Sequence, residues 1–172
     1  LSGEWGYASH TKGVSPETQA AFLVRQQLCN LLGDVPISIW YDWKNDGADP
    51  AEREHNFGTV AFDLSPKPAY VALQTLTREL AGCQVVRRLR VGSENDYVLL
   101  LKGRSGTQKL AAWTLNEPRN VALELRLEPA SRIDAVSGTG ERFQPRIEQS
   151  RLQLELTALP RYFTFLQAQP AE

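Results

Sequence analysis

The chain has 172 residues, of which 42% are hydrophobic and 23% are charged, a composition typical of a globular protein with a buried core. Its 19 basic and 20 acidic residues give a formal net charge of −1, and no basic stripe interleaved with aromatic residues indicates nucleic-acid binding. No apolar run approaches the roughly 20 residues needed to cross a bilayer. The length allows one ordinary domain, or a small domain joined to a piece of a larger one.

The two cysteines, Cys29 and Cys83, are too few for a disulfide framework. Both fall in predicted helical neighbourhoods. We expect two buried thiols that pack as small hydrophobic side chains, and a bridge between them is the less favoured alternative.

The first residues, Leu1 to Glu4, lack the basic start and the apolar stretch of a signal peptide. The sequence opens inside a motif, so we expect it to be a portion of a longer polypeptide. Any membrane association would then have to come from sequence that precedes these residues.

Residues 1–81 alternate short apolar segments with helical ones. A first strand is predicted near residues 1–5. Ser15-Pro16-Glu17 predicts a helix that starts at Pro16, and Gly33 predicts its end. Apolar residues at helical spacing predict its buried stripe: Ala20, Phe22, Leu23, Leu28, Leu31 and Leu32.

The segment from Val35 to Tyr41 has the β-branched, mostly apolar profile of a strand covered on both faces. A polar loop follows over residues 42–56, and a second helix is predicted over residues 68–80, with Ala69, Leu73, Leu76 and Leu80 along one side. This order predicts two neighbouring parallel strands with helices outside them. Two such strands cannot close a sheet, so they need partners outside this sequence.

From Cys83 onward the apolar pattern changes to a period of two residues. Turn signals separate seven predicted strands: 85–91, 97–101, 109–115, 121–127, 132–136, 152–156 and 162–166. So many short strands in succession predict an antiparallel sandwich. A short polar tail ends the chain.

Glu4, in Glu4-Trp5-Gly6-Tyr7, is a candidate catalytic carboxylate. The carboxyl ends of parallel strands are where barrel enzymes build their active sites, and Trp5 and Tyr7 beside it could shape a sugar pocket. For an isolated Glu-Trp pair, an exposed acid in a loop is the commoner explanation.

The segment from Trp40 to Gly47 combines three aromatic residues with alternating polar ones, a pattern that suits carbohydrate. On a strand, Trp40, Asp42 and Lys44 would share one side. The alternative is a core tryptophan followed by a solvated loop. His55-Asn56 could donate hydrogen bonds to sugar, but pinning of the loop is the favoured explanation.

Other chemistries fit poorly. His10 and His55 come with no Cys/His spacing for zinc, so we expect no bound metal. No Gly-x-Ser-x-Gly elbow, Walker loop or dinucleotide fingerprint is present, so we expect no cofactor.

Taken in order, these segments resemble the retaining glycoside hydrolases with (β/α)₈ barrels, in particular the family 39-like group that includes Psl-type hydrolases of biofilm exopolysaccharide. Ser2 to Tyr7 looks like the end of barrel strand seven, and Ile37 to Gly47 looks like strand eight and its loop. His55 to Gly58 and Ser65 to Tyr70 look like the approach to the last barrel helix. The resemblance implies a mixed fold: residues 1–81 as the last part of a TIM barrel, and residues 82–172 as a β-sandwich.

The resemblance further implies a retaining mechanism, in which Glu4 is the nucleophile and the acid/base carboxyl lies on a strand absent from this sequence. It implies a polysaccharide or oligosaccharide substrate held by Trp5, Tyr7, Trp40, Asp42, Lys44 and His55. It also implies a periplasmic or secreted location and the preceding barrel half as partner. The alternative is a non-catalytic carbohydrate-binding or scaffolding fragment.

Overall fold

The computed structural model describes residues 1–124 and 132–166. The chain divides into two compact units, Leu1–Arg78 and Glu79–Glu172, and each is described by itself. The fold is mixed, with helices and a parallel strand pair in the first unit and antiparallel sheets in the second. No helix in the described part of the chain is long and apolar enough to span a membrane.

The first unit contains the predicted parallel strand pair. Strand β1 (Ser2–Trp5) pairs in parallel with β2 (Ser38–Trp40), which confirms that the two segments are neighbours. Strand β2 is shorter than the predicted span of residues 35–41. Large side chains of this pair remain exposed, among them Trp5 and Ile39 at 50% each.

Helix α1 (Pro16–Leu32) connects the two strands along the chain and has the predicted bounds. The Ser15 side chain accepts a hydrogen bond from the Thr18 N–H at 3.1 Å, and Gly33 closes the helix by donating to the Cys29 carbonyl at 3.0 Å. The predicted stripe is partly wrong at the last turn, because Leu31 is 46% exposed.

Helix α2 (Pro68–Leu80) also matches its prediction. A short 3₁₀ turn (Glu54–Asn56) lies in the long loop that precedes it. The buried residues of α2 recur at helical spacing: Ala69, Ala72, Thr75, Leu76 and Leu80. Leu73, predicted for this face, is only half-buried.

The second unit consists of antiparallel strands. Their bounds are β3 (Cys83–Leu89), β4 (Asp96–Gly103), β5 (Gln108–Thr114), β6 (Arg119–Glu124), β7 (Arg132–Val136), β8 (Arg142–Phe143), β9 (Arg146–Glu148), β10 (Arg151–Leu156) and β11 (Arg161–Leu166). One sheet has the order β6-β10-β9 and the other the order β3-β4-β5-β11-β7-β8. Strands β8 and β9 were not predicted, and residues 125–127 of the predicted strand 121–127 lie outside the described residues, as does the polar tail.

Both sheets contribute to one buried apolar cluster. Leu152, Leu154 and Leu156 of β10 are fully buried, as the alternation with polar residues predicts. They lie in the same cluster as Val98 of β4 and Phe163 of β11, which belong to the other sheet. The two sheets are therefore held together by side chains from one face of each.

Neither cysteine forms a disulfide, and the expectation of buried thiols is wrong. Cys29 is exposed near the end of α1, and Cys83, at the start of β3, is half-buried.

Candidate functional site at the carboxyl ends of the parallel strands

The parallel pair brings the predicted catalytic and substrate-binding segments to one edge. Trp5 lies opposite Trp40 and Glu4 lies opposite Ile39. The pairing continues for one more residue, because the Tyr41 N–H donates to the Trp5 carbonyl. The chain after Glu4 and the segment from Tyr41 to Gly47 therefore leave the same edge of the pair.

Glu4 and Trp40 lie on opposite faces of this pair. Residues that pair across parallel strands share a face, so Glu4 lies with Ile39 and Trp5 lies with Trp40. Ser38 shares the Trp40 face, and its hydroxyl accepts a hydrogen bond from Asn30 of α1 at 2.8 Å. That face is therefore directed toward α1, whereas Glu4 is exposed on the other face.

Tyr7 and Trp40 belong to an aromatic group that includes a helix residue. The Tyr7 ring lies 4.5 Å from that of Phe22 in α1 and 6.4 Å from that of Trp40. Trp40 is half-buried, and its Nε1 is buried without a hydrogen-bond partner in the described part of the chain. This location favours a packing contribution from Trp40, so its role as a sugar platform beside Glu4 stays a prediction.

Tyr41 lies where several carboxylates converge. The charge of Asp46 is the largest of the effects that raise the pKa of the Tyr41 phenol, and burial, Asp42, Glu54 and Glu4 raise it further. The negative charges of Glu4 in β1 and of three acids in the segment after β2 thus all act on the same phenol. Negative charge is therefore concentrated around the Tyr41 phenol, and Glu4 contributes to it.

Asp42 and Lys44 are both engaged within the loop after β2. The Asp42 carboxylate accepts a hydrogen bond from the Trp43 N–H, and the Asp42 carbonyl accepts one from Thr59 N–H at 3.0 Å. The Lys44 ammonium lies 4.6 Å from the centre of the Phe62 ring. The peptide between Tyr41 and Asp42 is cis. The contacts with the Trp43 N–H and the Phe62 ring hold these two side chains in the loop, and their contact with substrate stays a prediction.

His55 and Asn56 hold the same loop together. The His55 ring packs so closely on Gly47 that a Cβ there would overlap it, and Nδ1 of His55 is buried without a partner in residues 1–124 and 132–166. The Asn56 amide donates to the carbonyls of Asp49 at 2.8 Å and Glu52 at 2.7 Å. These contacts support the favoured explanation, which is pinning of the loop.

Lys67 is a polar residue of this unit that sequence reasoning did not select as functional. Its ammonium donates to Asn45 Oδ1 at 3.2 Å and to the Asn56 carbonyl at 3.3 Å. Burial of the side chain lowers the pKa of Lys67 to about 8. The ammonium thus joins the two loop segments at an energetic cost.

Gln19 and Gly6 were also missed. Gln19 is fully buried in α1, and its amide lies within hydrogen-bonding distance of the carbonyls of Tyr7, Asn56 and Phe57. A Cβ at Gly6 would overlap with the Tyr41 carbonyl and lie 3.0 Å from the Phe57 ring. A glutamine within an otherwise apolar helix stripe was the one available signal, and Gly6 gave none beyond its place in the motif.

No group of three or more His, Cys, Asp or Glu side chains in the described ranges could hold a metal ion. The chemistry of this edge is that of carboxylates, aromatic rings and amides. Such a lining can bind hydroxyl groups and present a nucleophilic carboxylate.

No protein-family model and no curated protein matches this sequence. Solved structures do. A family 39 glycoside hydrolase from the gut symbiont Bacteroides cellulosilyticus WH2 superimposes with a TM-score of 0.81 at 28% sequence identity, over 93% of this chain and 32% of its own. The catalytic domain of the family 30 xylanase C from Talaromyces cellulolyticus gives a TM-score of 0.64 at 11% identity, over 96% of this chain and 40% of its own.

An α-amylase from Anoxybacillus gives a TM-score of 0.55 at 12% identity, over 92% of this chain and 34% of its own. These neighbours are glycoside hydrolases. The xylanase and the amylase indicate similarity of fold alone. The chain spans 32–40% of the length of these three enzymes.

Proposed function

We propose that this chain is the C-terminal part of a retaining, family 39-like glycoside hydrolase. In this proposal, β1 and β2 are strands seven and eight of a (β/α)₈ barrel, and the antiparallel sheets form the β-sandwich that follows it. The observation that carries the proposal is the parallel pair, which puts Glu4 and the aromatic, acidic segment after β2 at one edge. The 28% identity to a family 39 hydrolase over 93% of this chain supports it.

Glu4 is the proposed nucleophile. It is exposed on the face of β1 directed away from α1, the side on which a barrel would place its interior. Its carboxylate would attack the anomeric carbon of the sugar, and the glycosidic oxygen would leave with a proton from a second carboxylic acid. Water, deprotonated by that second group, would then cleave the glycosyl-enzyme ester and regenerate Glu4.

The second carboxyl is proposed to come from sequence outside this chain. A retaining pair needs a separation of roughly 5 Å between the two carboxyl groups. Asp42, Asp46 and Glu54 lie near Tyr41, but none of them has the sequence context of an acid/base residue. The N-terminal half of the same barrel is the proposed partner that completes the site.

The proposed substrate is a polysaccharide or oligosaccharide, and a biofilm exopolysaccharide is one candidate. A periplasmic or extracellular enzyme would meet such a substrate, so we propose that location. The non-catalytic alternative, a carbohydrate-binding or scaffolding role, is favoured by one observation. Among the acids that the structure describes, Glu4 alone lies in a sequence motif that resembles that of a catalytic carboxylate. One carboxyl of the pair is not sufficient to hydrolyse a glycoside.

Covalent trapping decides between these functions. The intact enzyme is incubated with activated 2-deoxy-2-fluoro glycosides, which accumulate the glycosyl-enzyme, and its peptides are sequenced by mass spectrometry. We expect the label on the peptide that contains Glu4, and no label in Glu4→Gln. Glu17→Gln, a change of an exposed acid in the first turn of α1, is the matched control and should label normally. A label on another carboxylate would reject Glu4 as nucleophile, and hydrolysis with inversion would reject the retaining mechanism.

A further inference from the structure

We propose that Trp43 is a second sugar-binding platform, which holds a unit of the substrate chain other than the one attacked by Glu4. The inference rests on the proposed function and deepens it, because it assigns a side chain of this loop to a sugar unit beyond the one that is cleaved. It adds a residue that the sequence-based selection of site residues left out.

The backbone of Trp43 is held firmly. Its carbonyl accepts hydrogen bonds from the N–H groups of Thr59 at 2.9 Å and Val60 at 3.0 Å, and from the Thr59 hydroxyl at 2.8 Å. Its own N–H donates to the Asp42 carboxylate. Thr59 and Val60 are themselves buried. The residue is thus fixed at both of its peptide groups.

The side chain of Trp43 is nevertheless left in solvent. Trp43 is 62% exposed, more than Trp5 at 50% or Phe62 at 49%. No ring–ring or cation–π contact involves it in the part of the chain that the structure describes. A large apolar ring left in water forgoes burial that would stabilise the fold. An exposed indole on an anchored backbone is an arrangement typical of a binding surface.

Phe62 provides the contrast. It is exposed to a similar extent, but the Lys44 ammonium lies 4.6 Å from the centre of its ring. That ring already has a partner for one face. Trp43 and Phe62 are the exposed aromatic residues between positions 42 and 66, and of these two Trp43 is the one without a cation against its ring.

The position of Trp43 fits a neighbouring sugar unit. Trp40 pairs with Trp5, the residue after Glu4, and paired strands lie about 5 Å apart. Three further peptide links extend at most about 11 Å, so the Cα atoms of Glu4 and Trp43 lie within about 20 Å of each other. The Asp42 carboxylate accepts the Trp43 N–H through one oxygen, and its second oxygen can accept a hydrogen bond from a sugar hydroxyl group. An aromatic platform with polar groups beside it is the combination that a pyranose needs.

The experiment compares long and short substrates in the intact enzyme. The long probes are neutral hexasaccharides of the xylo, cello and manno series, and the short probes are the matching nitrophenyl monoglycosides. Trp43→Ala should lower kcat/KM for a cleaved hexasaccharide by about tenfold and leave that for the monoglycoside within about twofold. Trp43→Phe should recover most of the loss, because it keeps an aromatic face. Tyr70→Ala, at an exposed aromatic residue of α2, is the matched control and should change neither.

Equal losses on long and short probes would overturn the proposal. So would a fall in melting temperature for Trp43→Ala beyond that of Tyr70→Ala, because it would mean that Trp43 packs against another part of the enzyme. Calorimetry of the Glu4→Gln enzyme with the same hexasaccharides measures binding without cleavage. It therefore tests this proposal separately from the proposed function. If wild type binds but does not cleave them, the proposed hydrolysis fails, and a weaker affinity in Trp43→Ala still supports the platform. If no hexasaccharide binds, or if adding Trp43→Ala to the Glu4→Gln enzyme leaves the affinity unchanged, the platform is rejected.

Discussion

The side-chain amide of Gln19 donates a hydrogen bond to the main-chain carbonyl of Tyr7 at 2.7 Å, so the first turn of α1 is tied to the segment that follows Glu4 out of β1. The same amide lies 3.1 Å from the Phe57 carbonyl and 3.3 Å from that of Asn56. One buried side chain thus joins the helix, the catalytic candidate's strand and the loop that borders the edge.

Gln19→Leu should destabilise the protein by about 1–3 kcal/mol, because it removes the side-chain donor from the Tyr7 carbonyl and from the buried hydrogen bond to the Phe57 carbonyl. Chemical denaturation followed by circular dichroism measures the loss. Gln74→Leu, at an exposed glutamine of α2, is the matched control and should stay within about 0.5 kcal/mol of wild type. Equal stability of the two variants would show that the Gln19 amide does not support the loop.

Gly6→Ala should be poorly tolerated. The added methyl group would overlap with the Tyr41 carbonyl, so β1 or the Tyr41 segment must shift, at a cost of about 3 kcal/mol. Gly33→Ala is the matched control: its Cβ would meet the Cys29 carbonyl at 3.4 Å, an ordinary contact, and its φ of −90° suits alanine. Thermal unfolding should separate the two by several degrees, and a Gly6→Ala protein as stable as Gly33→Ala would contradict the close packing.

Asp96, in the second unit, should stabilise the folded protein in a way that is lost at acidic pH. This carboxylate is 1% exposed and accepts hydrogen bonds from Ser93 N–H at 2.7 Å, Ser93 Oγ at 2.9 Å and Thr114 Oγ1 at 2.7 Å. Burial, the largest effect, raises the pKa of Asp96, but these hydrogen bonds and the charge of Arg119 outweigh it and lower the pKa overall.

Because the folded state binds the Asp96 proton more weakly than the unfolded state, this stabilisation is present above the unfolded pKa of about 3.9 and is lost as pH falls through the folded value. Asp96→Asn should therefore destabilise the protein at pH near 7, and the difference from wild type should shrink on acidification below about pH 4. Denaturant titrations over this range provide the measurement. A difference that stays constant with pH would mean that the charge of Asp96 is not what stabilises the turn.

Lys67 gives rise to a pH dependence for a different reason: burial disfavours its charged form, whereas hydrogen bonds favour the charged form of Asp96. Burial lowers the pKa of Lys67 to about 8, so between this value and the unfolded value of about 10.4 the unfolded state binds more protons. The stability of wild type should therefore rise with pH through this interval relative to Lys67→Met, which cannot titrate. Measuring both proteins at each pH cancels the contribution of every other group. A stability difference that is flat from pH 7 to pH 10 would contradict the shift.

The local signals of the sequence were sufficient for the helices and for most strands. Ser15, Pro16 and Gly33 act within one turn of the residues they cap, so they set the bounds of α1 without reference to the rest of the fold. The alternation at Leu152, Leu154 and Leu156 was likewise enough to identify their buried face. Strands β8 and β9 have two and three residues, too few for a period to be read.

Tertiary relationships at the site could not be predicted from pattern. The sequence indicated that Glu4 and the Trp40 segment end neighbouring strands, but an irregularity in the pairing between Ser2 and Glu4 sets which faces match. Trp40 consequently shares a face with Trp5 and Ser38 instead of Glu4. The Gln19 contacts depend on loops brought from 37 and 38 residues away, which no local signal encodes.

Rescue of Glu4→Ala by a small anion tests the nucleophile by stereochemistry. The substitution removes the attacking carboxylate from an exposed position of β1, so folding should survive while turnover in the intact enzyme falls by several orders of magnitude. Azide or formate can occupy the vacated space and attack the anomeric carbon from the same side as the lost carboxylate. With an activated aryl glycoside, the rescued product should be a glycosyl azide of inverted configuration, whose anomeric proton signal identifies it by NMR. Glu17→Ala, which removes an exposed acid of α1, should keep wild-type activity, gain nothing from azide and give a product of retained configuration. Rescue that yields retained configuration, or Glu4→Ala with wild-type turnover, would show that another carboxylate is the nucleophile.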